Sequence, residues 1–125
     1  MSVTRTLMPT QLLGVGTFPN VVDVDSFSRF TAQWVAPSGT AVATAEVFVS
    51  VLRADDPRLA DQDPATNPRW ELLATEWVAP LTPLVTAASA GTPLNQWQTA
   101  NFVITVDSGT ITDFELHAYL GQDPT

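Results

Sequence analysis

The chain has 125 residues, no Cys, and 13 acidic against 5 basic residues, for a formal charge of −8. That length supports one domain with a core that needs no disulfide or metal, and the 45% apolar content is that of a folded chain. Nucleic-acid and anionic-lipid binding need clustered Lys and Arg, so neither nucleic acid nor a membrane is an expected partner.

All five basic residues are Arg (Arg5, Arg29, Arg53, Arg58, Arg69), and ten Pro are scattered from Pro9 to Pro124. The Pro spacing leaves few windows for a long helix, while abundant Thr and Val favour strands through their branched Cβ. The expected class is all-β, an antiparallel β-sandwich.

In chain order, residues 1–19 read as an extended N-terminal arm or one strand with a glycine bend at Gly14 and Gly16, and residues 20–125 as the sandwich domain. Residues 1–8 lack a basic segment followed by an apolar stretch, so no secretory peptide is expected. Asn20–Asp25 is a short strand or turn. From Arg29 to Ala36 the pattern alternates: Phe30, Ala32, Trp34 and Ala36 share one face, and Arg29, Thr31 and Gln33 the other, which predicts a half-buried strand. Pro37-Ser-Gly39 closes it with turn residues.

Residues 42–53 (VATAEVFVSVLR) predict a central strand, with Val47, Val49 and Val51 on one face and Phe48 and Leu52 on the other. Ala54–Pro68 is a long acidic loop stiffened by three Pro, of a length that in a compact domain tends to be functional or mobile. Trp70–Ala79 has Trp70, Leu73 and Trp77 at helical spacing, yet Pro68 and Pro80 bracket too short a segment, and a strand is favoured. Residues 81–95 form a Pro/Thr/Ala/Gly loop with a short strand near residues 84–87. Trp97–Val106 and Thr110–Leu120 predict two strands around Asp107-Ser-Gly109. In the second, Phe114, Leu116, Ala118 and Leu120 face one way and Glu115, His117 and Tyr119 the other.

One octet recurs: residues 30–37 (FTAQWVAP) and 73–80 (LATEWVAP) match in register. Either two strands that end in a Pro turn coincide by chance, or they are equivalent strands that each cap the core with a Trp.

Few residues point to chemistry. His117 is the only histidine, flanked on its face by Glu115 and Tyr119, where an acid–base cluster is conceivable but a solvent-facing ring is the default. Zinc needs more Cys or His than the chain carries. The four Glu (Glu46, Glu71, Glu76, Glu115) lie on predicted strands without a pairing signal. Asp55, Asp56, Asp61 and Asp63, with Gln62 and Asn67, are an oxygen-rich group of the kind that binds calcium, but they lack the EF-hand spacing, so a solvated loop is expected; Asp23 and Asp25 are read the same way. No catalytic, cofactor-binding or metal-binding residue is assigned, no cofactor is expected, and the chain is not expected to be an enzyme.

The four Trp (Trp34, Trp70, Trp77, Trp97) serve either a core between two sheets, expected for at least two, or an exposed platform for sugars or proteins. Between Glu76 and Asp107 no residue is charged. Charge depletion with retained Trp matches the composition of an interface core, so residues 80–100, with Leu84 and Leu94 as test positions, are expected to contact a partner or a sister subunit.

The run FSRFTAQWVA, a Gly turn, AEVFVSVLR, a loop with Trp70, and NQWQTANFVITVDSGTITDFELHAYL resembles the jelly-roll of carbohydrate-binding modules from about Phe27 to Leu120. A small, Cys-free sandwich of this type also resembles the decoration or cement proteins of tailed phages, which clamp capsid subunits, often as trimers. The resemblance implies a structural protein of a virion, synthesised in the host cytoplasm. Its partners would be the major capsid protein or other virion subunits, and it would form a homo-oligomer, a trimer being favoured. The alternative is a glycan-binding module on a virion or tail that uses exposed Trp residues.

Overall fold

The computed structural model describes residues 2–78, 85–88, 92–94 and 97–122. Among these, eleven strands form two antiparallel sheets: β1 (Val3–Leu13), β2 (Gly16–Phe18), β3 (Val21–Asp23), β4 (Arg29–Ala36), β5 (Ser38–Gly39), β6 (Val42–Ser50), β7 (Glu71–Val78), β8 (Val85–Ala88), β9 (Thr92–Pro93), β10 (Thr99–Ser108) and β11 (Ile111–Gly121). Sheet A runs β1-β11-β4-β8, with β5 on β11 and β9 on β4; sheet B runs β2-β10-β6-β7, with β3 on β10. Taking β2/β3, β4/β5 and β8/β9 as single interrupted strands leaves eight. Every connection between these eight except β6–β7 crosses from one sheet to the other, which is jelly-roll topology.

The alternation in the sequence explains the sandwich. Phe30, Ala32, Trp34 and Ala36 of β4 and Phe114, Leu116, Ala118 and Leu120 of β11 are buried from sheet A. Ala43, Ala45, Val47 and Val49 of β6 and Ala100, Phe102, Ile104 and Val106 of β10 meet them from sheet B. At the centre the Phe102 ring stands edge-on to Phe30 across the sheets, centroids 5.4 Å apart at 86°, with Trp34 tilted 6.4 Å away. Such contacts add directionality to a core otherwise held by apolar burial.

Several elements depart from the linear reading. β10 and β11 lie in different sheets: the Ser108–Ile111 corner carries the chain between them, and Gly109 is at φ +76° there, where a Cβ would also meet the Thr40 backbone. Val51 does not share the face of Val47 and Val49. β6 ends at Ser50, whose Oγ accepts from Leu52 N, and Val51 is 69% exposed in the bend beyond.

Of the two readings of the N-terminal residues, arm or strand with a glycine bend, the structure shows the strand: β1 is an edge strand of sheet A, bonded along β11 from Val3–Leu120 to Leu13–Ile111. Pro9 sits where the register slips, as an edge strand tolerates. The two matching octets lie on dissimilar strands, interior β4 of sheet A and edge strand β7 of sheet B. Similar sequence there does not mean an equal position.

Candidate interaction surfaces

The acidic loop is a built element. A 3-10 turn at Pro57–Leu59 buries Leu59, and Asn67, also buried, donates to the carbonyls of Arg58 (3.0 Å) and Asp61 (2.8 Å). Trp70 Nε1 donates to Asp61 O at 3.1 Å, which locks the indole under the loop. The loop folds back over the outer face of sheet B. Asn101 Nδ2 donates to Gln62 O, and Val103, an outward residue of β10, is only 2% exposed beneath it. The loop is solvent-exposed along most of its length, as expected, and is anchored at Leu59, Asn67 and Gln62, where its internal carbonyls find buried amide donors.

Its carboxylates are spent locally. Asp56 caps the 3-10 turn and holds Arg58 through two side-chain bonds, 3.1 and 2.9 Å; Arg58 in turn draws the Asp56 carboxyl down to about 2. Asp61 accepts from Thr66 Oγ1 and Asp63 N, which lowers its pKa, and Asp63 accepts from Ala65 N. Asp23 likewise accepts from Asp25 N. These are turn-forming bonds, and among the described residues no three His, Asp or Glu side chains converge as a metal site would require.

On the outer face of sheet A, His117 lies half-buried between two partners. Thr6 Oγ1 is 3.1 Å from Nδ1, and Glu115 Oε1 is 3.1 Å from Nε2. The ring lies on the outer face, as expected, but only 28% exposed, and Glu115 and His117 do come together. The missing third member was Thr6, invisible in the sequence because nothing there fixed the register of β1 on β11. With both ring nitrogens engaged, the cluster ties the edge strand to the sheet. Beside it, Thr4, Thr31, Gln33 and half-exposed Tyr119 line a shallow groove of about 290 Å³.

Trp34 and Trp70 are buried, while Trp97 packs half-buried against the core and lines a surface groove with Trp70, Arg58, Arg69 and Glu71; the Trp77 side chain lies outside the described residues. Within residues 80–100, β8 and β9 add to β4 as the outer strands of sheet A, and Leu84 lies outside the described residues. Leu94 does not face a partner: it is fully buried in the chain's own core, its N–H bonded to Ser28 O at 2.8 Å.

No protein-family model matches the sequence, and no curated protein matches it significantly. The fold is similar to two solved structures. One is the infectious bursal disease virus VP2 subviral particle (TM-score 0.51, 9% identity, covering 97% of this chain and 33% of that one). The other is the infectious bursal disease virus Gx strain (TM-score 0.52, 9% identity, 95% and 32%). The chain spans about a third of the length of the structures it matches. At this identity the likeness establishes the sandwich fold.

Proposed function

We propose that the chain is a structural subunit of a virus particle. Within that class, it is a decoration protein on the outside of a tailed-phage head, acting by bridging neighbouring subunits and not by catalysis. The observation that carries the reading is the likeness to virus-particle structures over 97% of the chain, a match of the whole sandwich and not of a fragment of it.

A bridging protein needs a rigid body and separate contact surfaces. The cross-sheet aromatic core and the pinned acidic loop supply the first. The outer strands β8 and β9 of sheet A, inside the charge-free run from Trp77 to Val106, supply one contact surface, to the shell or to sister subunits in a trimer.

The test is density-gradient sedimentation of lysates from cells that express the chain together with the particle's other proteins. The reading predicts that the chain sediments with intact particles, and that particles lacking it break at lower temperature. Recovery of the chain only in the light fractions, with particles of unchanged heat stability, would overturn it.

A further inference from the structure

We propose that a groove on the outer face of sheet B, between β6, β10 and the acidic loop, receives a basic side chain from a partner protein, with Glu46 as its counter-charge. The groove has a volume of about 340 Å³. Phe48, Val103, Pro64 and Ala65 are its apolar lining, and Asp63, Thr17 and Thr105 line it beside Glu46. Glu46 is half-buried among them and makes no hydrogen bond or ion pair with any described residue.

That environment favours a cationic occupant with an apolar stem. A carboxylate partly removed from water is unfavourable unless a cation or donors replace the lost solvent. No Arg lines the groove, the nearby Arg58 is held by Asp56, and the chain contains no Lys. An anionic group would be repelled by Glu46 and Asp63, and an apolar one would complete the desolvation of Glu46 without compensation. A Lys or Arg side chain satisfies both halves of the groove: its methylene stem lies on Phe48 and Val103, its cation reaches Glu46, and the Phe48 ring face adds attraction. Burial pushes the Glu46 carboxyl above its ordinary value, as expected of a carboxylate waiting for a cation. A net charge of −8 steers a basic partner toward the surface.

The groove lies on the sheet opposite the β8–β9 edge, so the two would contact different neighbours. The inference rests on the chain's having a protein partner, as proposed above. A small-molecule probe keeps its failure separate from that of the virion reading.

The probe is Nα-acetyl-lysine methylamide, which keeps the side-chain ammonium, titrated into ¹⁵N-labelled protein with the norleucine analogue, which has the stem without the ammonium, as control. The expected result is saturable shifts of the Phe48, Val103 and Thr105 amides, about tenfold weaker for norleucine and reduced about tenfold in Glu46→Gln. In the unsubstituted protein, the Glu46 side-chain carboxyl should also titrate at lower pH when the probe is bound, a readout that requires no variant to fold. Equal shifts from the two probes, or a Glu46 titration unmoved by the lysine analogue, would overturn the proposal.

Discussion

Asn101 Nδ2 donates to Gln62 O at 2.8 Å, so a side chain in the middle of sheet B holds the acidic loop from below. The same residue accepts the Asn20 N–H on Oδ1 at 3.0 Å, which fastens the β2–β3 link on the other side of β10. One buried amide thereby sets the position of two segments remote from each other in sequence.

Removing such an amide leaves buried carbonyls unpaired. Asn67→Ala, which removes the side-chain donor to the Arg58 carbonyl and leaves Asp61 O with Trp70 Nε1 alone, is expected to cost about 1–3 kcal/mol in urea unfolding. Asn101→Ala is expected to cost a similar amount, and both should raise amide exchange in residues 58–66 before the rest of the sandwich opens. Exchange in the loop that matched the wild-type pattern would show that the loop does not depend on these anchors.

The corner between the sheets predicts a glycine-specific effect. Gly109→Ala combines φ +76° with contact against the Thr40 backbone and is expected to destabilise by roughly 1–3 kcal/mol. Asp113 also lies in the left-handed region, at φ 56°, where Asp and Asn are tolerated. Asp113→Asn should stay within about 0.5 kcal/mol, and Asp113→Val should not. Thermal unfolding of the three variants checks the ranking.

Leu94 is a core residue, so Leu94→Ala is expected to cost about 2–5 kcal/mol and Leu94→Arg to prevent folding. A folded, stable Leu94→Arg protein would return this position to the surface.

Two carboxylates give opposite pH signatures. The folded pKa of Asp56 is depressed by Arg58, from 3.8 to about 2, so its contribution is present above 3.8 and is lost as pH falls toward 2. Asp56→Asn should flatten that limb of the stability curve, and salt should shrink the difference, since the pair is exposed. Glu46 is raised above 4.5 by burial, so the stability it contributes is full below that value and declines as pH rises through its folded pKa. Glu46→Gln is therefore expected to raise the melting temperature at pH 7 and to leave it unchanged at pH 4. The reverse order would contradict the assigned burial.

Much of this was legible in the sequence where period-2 alternation met a buried face. The inner faces of β4 and β11 follow directly from Phe30–Ala36 and Phe114–Leu120, and that of β6 in part, from Val47 and Val49 but not Val51. The polar contacts were not, because they depend on pairing between distant segments. Thr6 meets His117 only through the β1–β11 register, and Gln62 meets Asn101 only because the loop folds back on sheet B. Leu94 misled for a related reason. A charge-free segment is equally suited to an interface and to the core, and only its placement beside Ser28 decides between them.

The oligomeric state is accessible in solution. The account expects light scattering to give about three times the 13.4 kDa chain mass, and substitutions along β8 to lower it. A monomer at all concentrations would move subunit contacts from the free protein to the shell.

The most direct test is cryo-electron microscopy of the particles with which the chain sediments, compared with particles made without it. The account predicts sandwich-sized density at symmetry-related positions on the outer surface, each spanning a junction between shell subunits and absent when the chain is omitted. Identical maps from the two preparations would contradict it.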